Sequence, residues 1–224
     1  MKRSVATFAA QMFGSGRAIL SLRDSYRRDQ FLRHRAMKLL ALLLWCGMAQ
    51  AAALRYWLEP CSPQESGCHS GDPELAQWAM EAWQAASAGH LTLEKTADRD
   101  KAHIRVYWTA GSAGLFGETR PILVDGVRGA EVFVLPTVVP PDEKDAILRD
   151  AIVYLTCLHE TGHALGLAHT ADFADIMYSF QYGGDIREYF ARYRRQLSSR
   201  DDIRKYAGMS GHDRGLLAEL YRTS

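Results

Sequence analysis

The chain has 224 residues, 47% of them hydrophobic and 24% charged, with 27 Lys/Arg against 26 Asp/Glu and four cysteines. That length supports one domain with a sizeable core, and the composition excludes collagen-like, low-complexity and disulfide-dense classes. The near-neutral balance is uneven: residues 1–51 hold nine basic and two acidic residues, leaving 18 against 24 in residues 52–224, an acidic remainder that argues against nucleic acid as a partner.

The first recognisable element is MKLLALLLWCGMAQAAA (37–53), where Lys38 precedes a short apolar run and small residues follow, with Ala49-Gln50-Ala51 as an A-x-A site. This is the pattern of a secretory signal peptide, and the run is too short to span a bilayer comfortably. The expected division is an N-terminal extension and signal over 1–51 and one domain over 52–224. Met1 and Met37 both remain possible starts. The expectation is a secreted, periplasmic or extracellular monomer without stable membrane insertion after cleavage.

Cys61 and Cys68 bracket the loop SPQESG, and in an oxidising compartment they are expected to form a local disulfide. Cys157, among Ile152, Val153, Leu155 and Leu158, reads as a small core residue. ALRYWL (53–58) reads as a strand. GDPELAQWAMEAWQAASAGH (71–90) reads as a helix with Pro73 in its first turn, one face of Ala76, Ala79, Met80 and Trp83, and Gly89 as its stop. LTLEK (91–95) and AHIRVYW (102–108) read as strands. GSAGLFGETRPILVDGVRG (111–129) reads as a glycine-rich loop holding a short strand, and AEVFVL (130–135) as a further strand. After Pro136, Pro140 and Pro141 a long helix is expected from about Glu143 to Ala164. YFARYRRQL (189–197) predicts a helix or lid, with Arg192, Arg194 and Arg195 as a solvated basic face. The order is α+β.

The long helix ends in CLHETGHALGLAHT (157–170). His159 and His163 are four apart, so they share a helix face and can reach one zinc ion. Glu160, beside the first of them, lies at the edge of that face. Gly166 can take the left-handed conformation that ends a helix and brings His169 back from another side. Three imidazoles leave a fourth tetrahedral position open, which is the layout of a catalytic zinc site. The competing reading is a histidine-rich helix end with ordinary polar contacts, and three of the seven histidines in 52–224 within eleven residues make that awkward.

HETGHALGLAH matches the metzincin signature HExxHxxGxxH and most resembles the matrixin branch. DIMYS (175–179) resembles the methionine turn of that family, with Met177 followed directly by Tyr178. The helix over 73–87, AHIRVYW, GLFGETRP, AEVFVL and MSGHDRGLLAELY (209–221) resemble matrixin elements in order. The resemblance covers about 53–224. It implies a zincin-like α+β fold, with a mixed twisted sheet, an active-site helix and a C-terminal helix. It further implies one catalytic Zn2+ on His159, His163 and His169, with Met177 as a packed floor and Glu160 as general base toward a zinc-bound water. The implied activity is hydrolysis of internal bonds in peptide or protein substrates, with AEVFVL as the edge strand that pairs with substrate and residues 176–184 walling the pocket after the cut.

Departures stand beside these matches. The propeptide motif PRCGxPD is not found, and residues 109–135 hold no histidine for a second, structural zinc. Asp125 and Glu131 are weak candidates for calcium. Cys61, if free, could reach back as a thiolate plug. Residues 181–205 form a longer segment than the family leads one to expect. An inactive binding module of the same fold, or another zinc hydrolase such as an aminopeptidase, remains an alternative.

Overall fold

In the computed structural model, residues 51–110, 116–138 and 144–222 are described, and the elements below belong to one compact unit, Ala49–Ser224. The signal-peptide expectation, Met37 and Cys46 lie outside the described residues. Five strands are present: β1 (Ala52–Leu58), β2 (Leu91–Lys95), β3 (Ile104–Trp108), β4 (Gly117–Val124) and β5 (Val127–Val134). They form one sheet in the order β2-β1-β3-β5-β4. The β1–β2, β1–β3 and β3–β5 pairs are parallel and β4 runs antiparallel to β5. Period-two alternation sorts the side chains. Ile104, Val106 and Trp108 are buried on one face, while Arg105 and Tyr107 are half-buried on the other.

Two expectations about the sheet change. AEVFVL is not an edge strand, because β5 lies between β3 and β4. The edge is β4, within the stretch expected to be mostly loop. The hairpin closes at Asp125-Gly126, both with positive φ (52° and 79°), the two-residue turn that Asp-Gly favours between antiparallel strands. That dipeptide was the available signal, obscured by the surrounding glycines and Pro121. A proline is tolerated in β4 because an edge strand leaves one side of its backbone unpaired.

The helices are α1 (Pro63–Ser66), α2 (Asp72–Ala86), α3 (Ala146–Ala164), α4 (Ile186–Arg194) and α5 (Gly211–Tyr221). α1 was not expected. It lies inside the loop closed by the Cys61–Cys68 disulfide, which forms as expected. α2 buries the expected face of Ala76, Ala79, Met80 and Trp83. α3 starts later than expected because Asp145 is its cap, accepting from the amides of Ile147 and Leu148 at 3.1 and 3.0 Å.

α2 and α3 are tied at both ends. The Trp83 indole donates to the Leu158 carbonyl at 2.9 Å, and Arg149 donates to both carboxylate oxygens of Asp72, a buried pair. Breaking such a pair from one side strands a charge and costs about 3–5 kcal/mol. Cys157 is a free, fully buried core residue, as expected. α4 realises the helix expected over 189–197, though Arg194 pairs with Asp145 and Arg195 with Glu188. Among the described residues no helix is long and apolar enough to cross a membrane.

Candidate metal centre

The helical period puts His159 and His163 one turn apart near the end of α3. At Gly166 the backbone turns left-handed (φ 104°), and the Leu167 amide donates back to the Gly162 carbonyl at 3.0 Å, closing the helix. The chain returns with His169. The next residue is stitched to the following segment: the Thr170 amide donates to Met177 O at 2.8 Å and the Ser179 amide to Thr170 O at 3.1 Å.

The three Nε2 atoms converge, with separations of 3.2 Å (159–169), 3.2 Å (159–163) and 3.0 Å (163–169). Their other ring nitrogens explain the orientation. Nδ1 of His159 lies 2.6 Å from Ile176 O, and Nδ1 of His163 lies 2.9 Å from Leu167 O. A carbonyl only accepts, so Nδ1 must carry the proton in each ring. In a neutral imidazole that leaves Nε2 as a bare lone pair. Burial drives the His159 pKa down to about 4, and burial, with His163 nearby, lowers that of His169. These groups can hold a metal ion together, and they are the group among the described residues that meets this test.

Met177 packs against α3 at Gly162. It is fully buried, and its sulfur occupies space that a Cβ on Gly162 would invade at 2.4 Å. Glycine one residue before His163 therefore lets the methionine approach α3. The turn is held from α5: the buried Asp213 accepts from the amides of Ile176 (2.9 Å), Met177 (3.3 Å) and Ser210 (2.8 Å). Asp175, also buried, accepts from Ser210 Oγ at 2.6 Å and pairs with His212 Nδ1 at 2.7 Å. Asp213 and Gly162 had not been singled out from the sequence. The Ser210-x-x-Asp213 capping box that starts α5 was the legible trace of Asp213.

Glu160 is 7% exposed. Burial pushes its carboxyl up to about 7, against an opposing hydrogen bond from Thr119. The Thr119 hydroxyl lies 2.7 Å from Glu160 Oε2 and 2.9 Å from the Glu160 carbonyl. Thr119 is on β4, opposite Val132 of β5. The cleft, with a volume of about 440 Å³, is bordered by β4 at Gly117–Thr119, by the three histidines and Glu160, and by an aromatic end that includes Phe180, Tyr189 and Phe190. Tyr178 ties the chain beyond the methionine by donating to Gly183 O at 2.8 Å.

The remaining sequence candidates fall elsewhere. Cys61 is bonded to Cys68, so it offers no thiolate to the histidines. Asp125 sits at the β4–β5 turn, and Glu131 pairs with Arg105 and accepts from Tyr107. They form no joint metal-holding group with a third ligand among the described residues. No protein-family model matches the chain, and no curated protein matches it.

Proposed function

We propose that this chain is an exported, matrixin-like zinc endopeptidase that hydrolyses internal peptide bonds. The observation that carries the reading is the convergence of three Nε2 atoms in the same cleft as a buried glutamate. The bare lone pairs of His159 and His163, 3.2 Å apart, repel one another, and a cation between them removes that cost. The separations suit zinc: bonds of about 2.0–2.1 Å in a tetrahedron put ligands roughly 3.3–3.4 Å apart. Neutral imidazoles alone, with no thiolate, are also the donor set of catalytic zinc sites.

His159, His163 and His169 would hold the ion, which would supply Lewis-acid polarisation of the scissile carbonyl and acidify a water. Glu160 supplies the proton handling. Its carboxylate takes a proton from the attacking water as oxygen bonds to the carbonyl carbon. As the C–N bond breaks, Glu160 returns that proton to the departing amine, so proton and electron pair balance. Burial raises the Glu160 carboxyl in the metal-free chain, which makes it a stronger base than an exposed carboxylate. β4 gives the substrate a place to lie. Its edge away from β5 is free among the described residues, and an extended peptide can pair with such an edge. The disulfide supports an exported setting.

The test is metal content together with cleavage-site mapping on peptides blocked at both ends. One zinc per chain and internal cuts are expected. Replacing His169 with Ala should abolish most zinc binding, and full retention would defeat the three-histidine site. No cut in the blocked peptides, with removal of N-terminal residues from their unblocked counterparts, would replace the endopeptidase reading with an aminopeptidase. Zinc without turnover on any peptide would leave a binding module.

A further inference from the structure

We infer that Thr119 is a positioning residue for Glu160, aiming the general base from the sheet edge; the inference rests on the peptidase reading above. Glu160 projects from α3 at the rim of its ligand face, and nothing on α3 itself is seen to hold the carboxylate. Among the described residues the hydrogen bond to that carboxylate comes from Thr119, 41 positions away in sequence, at 2.7 Å. The contact engages Oε2, and Oε1, on the side of Gly117, takes no hydrogen bond among the described residues. A carboxylate with one oxygen anchored and one free is arranged to accept a proton at a defined place.

The Thr119 hydroxyl also lies 2.9 Å from the Glu160 main-chain carbonyl. The single hydroxyl proton is shared between the two acceptors of the same residue. The carbonyl gives the hydroxyl a fixed reference on the helix, so the carboxylate is located relative to the α3 backbone that carries the histidines.

The strand contributes a second restraint. Gly117, two residues before Thr119 and on the same face, lies against Glu160. A Cβ there would meet Glu160 Cγ at 2.6 Å and Oε1 at 2.9 Å. Gly117 makes room for the side chain, and Thr119 supplies the hydrogen bond. Period two in β4 brings both to one side chain.

The test compares Thr119→Val, which keeps the shape and removes the hydroxyl, with Thr119→Ser, which keeps the hydroxyl. Steady-state kinetics on a blocked peptide should show kcat falling about 10- to 100-fold in the valine variant, the range of one hydrogen bond to a charged group. KM, zinc content and thermal midpoint should change little. The serine variant should recover most of kcat. A readout independent of turnover is the Glu160 side chain in crystals of the metal-free proteins. It should hold one conformation in the parent and the serine variant and spread over several in the valine variant. An unchanged kcat in Thr119→Val, in a parent that cleaves the peptide, overturns the positioning role alone. So does loss of zinc or of the fold in Thr119→Val, or failure of serine to restore kcat. A parent protein that binds zinc and cleaves nothing overturns the peptidase reading, and an equally ordered Glu160 in the valine variant overturns the positioning by itself.

Discussion

The two walls of the cleft reach their geometry by different routes. On the helix wall, His159, Glu160 and His163 are placed by the 3.6-residue period of α3, and His169 by a turn that begins three residues after His163. On the strand wall, Gly117 and Thr119 reach the same Glu160 through the pairing of β4 with β5, of β5 with β3, and the packing of that sheet against α3. The first wall is local in sequence and survives as a motif. The second depends on register, where a slip of one residue turns Thr119 away and Glu118 inward. The histidines that can hold a metal ion come from the local wall, and the hydrogen bond to the Glu160 carboxylate from the non-local one.

The sharpest way to separate the two roles is Glu160→Gln. It removes the basic carboxylate and keeps all three imidazoles. Peptide cleavage should fall by about 10²–10⁴-fold with zinc retained, measured as quenched-peptide turnover and metal content on the same sample. Loss of zinc alongside activity would show that the helix wall cannot be divided into ligands and base.

The same substitution has a pH signature in the metal-free protein. The Glu160 carboxyl sits at about 7 when folded against an ordinary value of 4.5. The folded state therefore binds more protons between those values, and its stability falls as pH rises through that window, then levels above about 7. The ionised form costs about 3 kcal/mol. Glutamine carries no such cost. Urea midpoints of chelated protein should show the glutamine variant gaining on the parent from pH 5 to pH 8. A gap independent of pH would mean that Glu160 is solvated.

A matched pair of substitutions sets one wall against the other. In Gly162→Ala the new methyl meets Met177 Sδ at 2.4 Å and Trp83 Cζ2 at 3.0 Å, neither free to leave the core. Overpacking of about 1–3 kcal/mol should outweigh the roughly 1 kcal/mol gained in helix propensity, lowering the unfolding midpoint. In Gly117→Ala the methyl meets the Glu160 side chain, which can swing into the cleft. Stability should change less, and kcat should fall with zinc retained. The reverse pattern would contradict the division between the walls.

The smallest expected effect tests how the segment Asp175–Met177 is fastened to α5. Hydrogen bonding to Asp175 raises the His212 pKa. For Asp175, burial alone would raise the carboxyl, and the Ser210 and His212 hydrogen bonds hold it below its ordinary value. A raised histidine contributes stability fully below its unfolded value, near 6.5, and loses it as pH rises through the folded value. The parent's advantage over His212→Gln, read as thermal midpoint, should be larger at pH 6 than at pH 8.5. An advantage that grows with pH would show that His212 acts as a neutral donor alone.

How much of this was legible follows from the range of each interaction. The histidine triad, the Cys61–Cys68 bridge and the buried face of α2 all have local signatures: a helical period, a two-cysteine loop, an apolar stripe, whereas Met177 stands out only through the resemblance of DIMYS. β4 was misread because glycines and Pro121 hide its alternation, although Asp125-Gly126 marked the hairpin. AEVFVL is the edge only by the family resemblance, and it lies inside the sheet; a strand's place in a sheet is set by its neighbours and leaves no mark in its own residues. By itself the sequence determined which side chains could hold a metal ion, because i and i+4 on a helix and a glycine stop suffice to converge them. Only the tertiary structure decided that Thr119 and Gly117 border Glu160, that Gly162 admits Met177, and that Asp213 carries the turn. Each of those contacts joins segments far apart in the chain, and their meeting depends on sheet order, register and packing, which no short stretch of residues encodes.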